Sequence, residues 1–507
     1  MTDKNRPSRF ARNAVANWIA FLYVAIVGFL LSPYVVDHLG ATRYGVWALI
    51  AGLVGYLGLL DLGIRQAVNR YTARHHSAGD HLGCSLIISA ALRLFGFLGL
   101  VAILLSVVLA WFAPHLFNIP GELADEARVI IVLGGLSIAV SLVSGVFGGV
   151  ITGIERFDIQ CCIEILLTTT RTVAIVLALH EGHGLLALAV IQLLATILNC
   201  IVVASAVRWL YPELRIRLWA DLGPQMRTIL SFSASLTVLY VLSKIISYSD
   251  AAVIAAFLPI ESVTYFAIAG NLCLYAKEVP RALSSLMTPR ISALTSSGST
   301  GVGALILGVA KIATLAATAI AITFILRGES FITLWMGSAY GPLSGQVLLI
   351  LAIVVWLDAS RSVILDSLTG MAKQSTVIAG VGIEAACNLA LSLALVKPLG
   401  IVGVALGTLI PSAFVSVVYF PRRLSRVTGV PTVLFGRDAI LLPTIACFPF
   451  GLATAMLERA SPATSLPVFF LQTFLILPLV PVTAWFLCLS TSEKEQVRLE
   501  LRKATRR

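Results

Sequence analysis

Fourteen apolar runs of membrane-spanning length follow one another along this chain, and the connections between them leave little sequence for anything else. A helix needs about 20 apolar residues to cross a hydrocarbon layer about 30 Å thick. Runs of that length lie at 13–36, 44–64, 84–111, 127–150, 159–179, 184–207, 228–257, 262–283, 303–326, 346–369, 376–396, 401–420, 438–457 and 466–490. Lipid offers no hydrogen bonds, so each run must satisfy its own backbone, which means α-helix rather than open sheet. With 58% hydrophobic and only 12% charged residues, the chain could not build the surface of a soluble enzyme. The expected fold is an all-α polytopic membrane protein. Its first run follows a basic lead (Lys4, Arg6, Arg9, Arg12) but is too long for a signal peptide and lacks a small-residue cleavage site, so it is read as a retained helix.

The net charge of +11 has a membrane explanation before any other. Cytoplasmic loops collect Lys and Arg. Placing the N-terminus inside puts most of the cations on that side, among them Arg65, Arg70, Arg74, Arg156, Arg208, Arg215, Arg217, Arg227, Arg281, Arg290, Lys373, Arg422, Arg423, Arg426, Arg437 and the basic tail 491–507. Only Arg43, Arg128, Arg327, Lys397 and Arg459 fall outside. Both termini are therefore expected in the cytoplasm, and no nucleic-acid partner is expected because no soluble domain remains to carry a basic face.

Chemistry motifs are absent. No Gly is followed directly by Lys, which excludes a GxxxxGK[ST] phosphate loop and a built-in ATP motor. His180-Glu-Gly-His183 has the wrong spacing for a zinc-protease helix, the eight cysteines form no CxxC, and His75, His76 and His81 read as solvated loop residues. Neither metal nor cofactor is expected, and no enzymatic activity.

The chain repeats itself. Leu39 to Leu49 lies over Leu258 to Ile268 at an offset of 219, Ile151-Thr-Gly153 over Leu368-Thr-Gly370 at 217, and Gly184 to Ala189 over Gly400 to Ala405 at 216. The expected organisation is a six-helix bundle at 1–215, its pseudo-symmetric copy at 216–425, two further transmembrane helices at 426–490 and a basic cytoplasmic tail at 491–507. Two similar bundles imply a cleft that can open to either face, the geometry of alternating access.

Charges inside the spans cost roughly 2.5–3.5 kcal/mol each on insertion scales and so face protein or a wet cavity. Arg93 continues a stripe from Ser85 and Ser89 at intervals of four. Glu164, Thr168 and Arg171 share a face, as do Glu384 and Asn388 in the second copy; Tyr240, Lys244 and Tyr248 follow helical spacing, with Asp250 nearby. Asn271, Tyr275 and Glu278 lie beside Lys277, and Asp358 precedes Arg361 by one turn. Two readings stay open: these are ion pairs holding helices together (Glu164 with Arg171, Asp358 with Arg361, Glu278 with Arg281), or the cations line the cleft and receive an anionic cargo. Lys311 lies close enough to the inner face to snorkel.

The words Tyr44-Gly-Val-Trp47, Leu59-Leu-Asp-Leu-Gly63, Asn69-Arg-Tyr71 and the Ala78-Gly-Asp80 turn resemble the polysaccharide-lipid (Wzx-type) flippases of the multidrug/oligosaccharidyl-lipid/polysaccharide exporter superfamily. The close resemblance covers helices 1 to 3. It implies flipping of an undecaprenyl-diphosphate-linked oligosaccharide across the bacterial cytoplasmic membrane, with polysaccharide polymerase machinery as partner. The implied head-group residues are Arg93, Arg171, Lys244, Lys277 and Arg361, and the implied sugar lining is Tyr240, Tyr248, Asn271, Tyr275 and Asn388. Coupling to H+ or Na+ would fall to Glu164, Asp250, Asp358 or Glu384. The alternative in the same superfamily is a cation-coupled exporter of drugs or small solutes.

Overall fold

The computed structural model describes residues 6–285, 291, 294, 301–371, 373–489 and 493–495, with side chains from Trp18 onward except at 234–236 and 285. Lys4, Arg290 and the tail cations Arg498, Arg502, Lys503, Arg506 and Arg507 lie outside the described residues. Every long element is a helix. Eight open the chain: α1 (Arg6–Leu57), α2 (Ile64–Ser77), α3 (His81–Leu116), α4 (Gly121–Gly153), α5 (Phe157–His180), α6 (Leu185–Leu210), α7 (Gly223–Phe257) and α8 (Glu261–Ser285). Then come α9 (Val302–Met336), α10 (Gly341–Gly370) and α11 (Gln374–Phe414), followed by shorter helical segments to Leu487.

Among the described residues eleven continuous helical stretches are long and apolar enough to span. Two of them are broken by a glycine: Gly40 (φ 72°) in α1 and Gly400 (φ 59°) in α11 take left-handed conformations that L side chains rarely adopt. Each break separates two spans, and the more polar α8 adds another, so the fourteen helices read from hydropathy are present. Large apolar side chains such as Phe97 (65% exposed) and Phe486 (72%) point outward, as they must where the surroundings are lipid.

The chain clusters into two compact units, Met1–Thr264 and Tyr265–Arg507. In the first, α4 presents Gly145, Gly149 and Gly153 at intervals of four to α2. A Cβ at Gly149 would lie 3.1 Å from Val68 Cγ1 and 3.2 Å from the Arg65 carbonyl, and one at Gly153 would lie 2.9 Å from Thr72 Cβ. Small residues let the two backbones touch where lipid provides no hydrophobic drive to associate. The Leu-Leu-Asp-Leu-Gly word ends span 2: Leu62 and Gly63 take left-handed conformations, and the Leu62 carbonyl freed by the break accepts from Thr237 Oγ1 at 2.8 Å. The Ala-Gly-Asp turn opens α3. Gly79 supplies a positive φ, and the Asp80 carboxylate accepts from the Gly83 amide at 2.8 Å as an N-cap.

The connections after spans 1 and 7 meet inside this first unit. Thr264 Oγ1 donates to the Ala41 carbonyl at 2.6 Å, a Cβ on Gly45 would run into the Ile260 carbonyl, and Thr42 Oγ1 donates to Glu261 Oε1 at 2.7 Å.

In the second unit α11 folds back on itself at Gly400. Asn388 Nδ2 donates to Thr408 Oγ1 at 2.9 Å across the hairpin, and side chains on Gly403 or Gly407 would strike Leu395 or Ser392. The last two spans pack on α9 through Ala319, Cys447, Phe450 and Val480. Arg327, expected in an outer loop, is instead 1% exposed, because α9 runs ten residues past the apolar run and carries it under the last two spans. Its Nε donates to Glu458 Oε2 and its Nη2 to Gln472 Oε1, both at 2.6 Å, with the guanidinium 4.5 Å above the Phe469 ring. Lys311, expected to snorkel, pairs with Glu493 at 3.1 Å.

Candidate functional site

On α3 the Ser85–Ser89–Arg93 stripe holds the α6–α7 connection. Ser85 Oγ accepts from the Arg215 amide at 3.1 Å, Ser89 Oγ from the Arg217 amide at 2.8 Å, and the exposed Arg93 donates to the carbonyls of Leu218 and Ala220. The spacing explains the match. Four helical residues rise about 6 Å, and two extended residues rise about 6.6–6.8 Å, so a polar group every fourth residue of a helix meets an amide at every second residue of an extended segment.

Along α7, Lys244 Nζ donates to Tyr248 OH at 3.1 Å and lies 4.7 Å from that ring's centroid. Tyr248 stands edge-on to Tyr56 at 5.7 Å, in space left by Gly55, where a Cβ would come within 2.6 Å of the Tyr248 ring carbon Cζ. Tyr240, 40% exposed, accepts from Gln66 Nε2 at 3.4 Å, and Asp250 is buried. The α7 file thus faces the end of span 2 and the start of α2.

Arg171 sits half-buried in the α5–α6 hairpin, where Nη1 donates to Gln192 Oε1 at 3.1 Å and Nε has no partner among the described residues. The expected pair with Glu164 is not among the ion pairs of the described residues, and Glu164 is exposed. Asn388 and Thr408 repeat this interhelical bond 217 and 216 positions later. Among the described residues neither Arg171 nor Lys244 has a carboxylate within ion-pair distance.

The second unit is different. Arg361 donates to both Asp358 and Glu384, the latter 2% exposed. Lys277 lies within electrostatic reach of Asp358 but forms no ion pair among the described residues. The expected pair Arg281–Glu278 is present at 3.2 Å, and Ser284 donates to Asp366 at 2.6 Å. Asn271 and Tyr275 are half-buried on α8, and Asn388 is buried.

Two groups escaped the sequence reading. Arg65 lies over the glycines of α4, its Nη2 3.1 Å from where a Gly148 Cβ would be; its backbone amide donates to Asp61 Oδ1 at 3.3 Å, while its guanidinium has no carboxylate at ion-pair distance among the described residues. The signal was the Gly145, Gly148, Gly149 cluster, which leaves a floor on which a long side chain can lie. The loop histidines are also not free: His75 Nδ1 contacts Asp80 at 2.8 Å, and His81 Nδ1 bonds Tyr211 OH at 2.7 Å. The Gly83 amide and then His75 hold the Asp80 carboxyl below the usual carboxylate range, while burial pushes the Tyr211 phenol up. Arg156 is raised by its bond to Asp158 at 3.0 Å.

Comparison with known proteins agrees with this architecture. The sequence profile of a family described as polysaccharide biosynthesis protein matches residues 10–294. A putative O-antigen transporter of Shigella flexneri is 21% identical over 285 residues, 55% of this chain and 66% of that protein. The uncharacterized membrane protein EpsK of Bacillus subtilis (strain 168) is 22% identical over 169 residues, 33% of this chain and 34% of that one. The chain thus spans less than two thirds of either relative. Among solved structures, the lipid II flippase MurJ in an inward closed conformation superposes with a TM-score of 0.73 at 15% identity, covering 92% of this chain and 97% of that one. An inward-facing multidrug resistance transporter of the MATE family, in the MOP superfamily, gives 0.70 at 16% identity, covering 81% and 96%.

Proposed function

Since the chain belongs to the polysaccharide biosynthesis protein family, we propose that it turns a polyprenyl-diphosphate-linked oligosaccharide from the inner to the outer leaflet of the bacterial cytoplasmic membrane, with both termini inside. Diphosphate and sugars cannot cross hydrocarbon unaided, whereas a prenyl tail can stay in lipid while the head group travels through a polar path. The observation that carries the reading is Arg171. A guanidinium in an apolar hairpin that among the described residues bonds only a neutral amide, with no partner there for Nε, is a cation held ready for an anion. Guanidinium matches phosphate oxygens bidentately, and Lys244 and Lys277 add charge with no carboxylate at ion-pair distance among the described residues. Arg361, committed to Asp358 and Glu384, is proposed to meet the cargo only if that trio rearranges.

Tyr240, Tyr248, Asn271, Tyr275 and Asn388 are proposed to bond sugar hydroxyls. Coupling to H+ or Na+ is assigned within this proposal to the buried Asp250 and Glu384 and the half-buried Asp358 ahead of the exposed Glu164. A relative named as a putative O-antigen transporter and structural neighbours named as a flippase and as multidrug transporters support this reading, and alternating access through a central cleft is the motion we propose, since structures of this fold occur in both inward-facing and outward-facing forms.

The test is deletion of the gene followed by identification of the lipid-linked glycan that accumulates on the inner leaflet. Complementation by wild type should restore surface glycan, Arg171→Lys should restore part of it, and Arg171→Ala none. The second reading, export of drugs or small solutes, is favoured by the MATE likeness. Intact surface glycan together with raised sensitivity to cationic compounds would select it.

A further inference from the structure

The α6–α7 connection carries a feature outside the cargo site proposed above. Where α6 ends, Phe147 of α4, Ala204, Tyr211, Arg208 and Arg215 help to line a half-open cavity of about 630 Å³. Both arginines are exposed, as is Arg217 two residues on, and among the described residues none of the three has a carboxylate within ion-pair distance. An outward-facing apolar stripe on α6 leads towards Arg208. Leu194 (59% exposed), Leu198 (40%) and Ile201 (57%) lie at intervals of four and three, and the same helical face reaches Arg208 one further heptad down. Trp209 and Trp219, 73% and 98% exposed, flank the connection, as tryptophans do at the level of lipid head groups.

We propose that this connection is a binding site for an anionic phospholipid of the leaflet it faces. The phosphate lies between Arg208 and Arg215, Arg217 adds charge at the rim, and an acyl chain runs along Leu194, Leu198 and Ile201. Charge complementarity selects the occupant: a zwitterionic lipid offers the same chains, but its own ammonium opposes three guanidinium groups that have no ion-pair partner among the described residues. The connection is docked to α3 through the backbone amides of Arg215 and Arg217, not through their side chains. Removing the side chains therefore leaves the docking bonds in place. This site depends on the chain being a membrane protein and not on the nature of its cargo.

The experiment measures thermal unfolding of the purified full chain in neutral detergent with added phosphatidylglycerol or phosphatidylcholine. Phosphatidylglycerol should raise the midpoint at several-fold lower lipid than phosphatidylcholine, and 0.5 M salt should erase most of the difference. At about fivefold in affinity per cation near an anionic surface, R208A/R215A should need roughly 25-fold more phosphatidylglycerol, and R208K/R215K should keep most of the effect. Should the double variant not fold, brominated lipids decide on the wild type. Brominated phosphatidylglycerol should quench the fluorescence lost in a Trp209→Phe/Trp219→Phe variant more than brominated phosphatidylcholine does. Equal response to the two lipids, or an unshifted titration in R208A/R215A, overturns the proposal. Loss of glycan export in Arg171→Ala with the lipid preference intact would show that this site and the cargo site stand or fall separately.

Discussion

Arg361 and Arg171 make opposite predictions, because the first is paired with carboxylates and the second, among the described residues, is not. Replacing Arg361 by alanine leaves Asp358 and Glu384 without their cation, in a setting where the three side chains are 17%, 3% and 14% exposed for Asp358, Glu384 and Arg361. All are below a third, so solvent screening removes little of the effect. Breaking a buried pair by removing one partner costs about 3–5 kcal/mol, and here one cation serves two anions. Arg361→Ala should therefore melt well below wild type in fluorescence-detected size-exclusion measurements, and its membrane abundance should fall. Neutralising all three, as Arg361→Met with Asp358→Asn and Glu384→Gln, should return most of the loss, since a buried ionic cluster contributes little beyond an uncharged one of similar volume. Arg171→Ala removes one neutral-acceptor hydrogen bond, worth about 0.5–1.5 kcal/mol, and relieves an uncompensated charge of larger cost. It should melt at or above wild type and yet fail to export glycan. A wild-type melting profile for Arg361→Ala, or a collapse of Arg171→Ala, would refute the division of these two arginines into structural and cargo-facing roles.

Glu458→Ala strands Arg327 and should cost about 3–5 kcal/mol in the same melting assay, while Arg327→Met with Glu458→Leu should recover it. Gly149→Leu forces side-chain atoms into Val68 and the Arg65 carbonyl, so it should lower the yield of folded protein, whereas Gly96→Leu, with nothing within 4 Å of its Cβ position, should not. Because the folded Asp80 carboxyl lies below its unfolded value of about 3.9, its stabilisation is complete above that pH and is lost as pH falls through the folded value. Hydrogen exchange at Gly83 and Cys84 should therefore accelerate below about pH 4 in wild type, and show no such step in Asp80→Asn. A disulfide between Thr42→Cys and Glu261→Cys should stop export reversibly, with reductant restoring it; unimpaired export in the oxidised form would mean that this clasp never opens during transport.

Hydropathy made the spans legible because lipid imposes one requirement on every residue of a crossing helix, and that requirement is local. The breaks at Gly40 and Gly400 fell between runs for the same reason. Periodicity also found the Ser85–Ser89–Arg93 face correctly as a polar stripe. It could not say what lies opposite, and the occupant is the chain's own connection, about 130 residues further along. Arg327 was misplaced by the complementary failure. An Arg after an apolar run looks like a loop residue until Glu458 and Gln472, more than 130 positions away, are brought over it. Among the three suggested ion pairs the two at i,i+3 formed, since one turn of helix fixes their distance. Glu164 and Arg171 are two turns apart, and Gln192 of the neighbouring helix reached the guanidinium instead.

The repeat is legible in contacts as well as in letters. If a two-fold axis relates a segment to its copy, a contact between residue i and the copy of j must be matched by one between j and the copy of i, and a residue meeting its own copy lies on the axis. At the offset of 219, Thr42 corresponds to Glu261, and the two are bonded at 2.7 Å. Ala41 corresponds to Ile260 and Gly45 to Thr264, so the bond from Thr264 to the Ala41 carbonyl has as its mate the approach of Gly45 to the Ile260 carbonyl. The same close approach is met by two different chemistries. At 264 a hydroxyl turns the nearby carbonyl into an acceptor, and at 45 the side chain is absent altogether. Identity between the copies can therefore drift while the geometry cannot, which is why the repeat survives as a spacing more clearly than as a sequence. Gly45→Thr should restore chemical symmetry only by moving the Ile260 backbone, because the hypothetical Cβ already overlaps that carbonyl before any hydroxyl can bond to it.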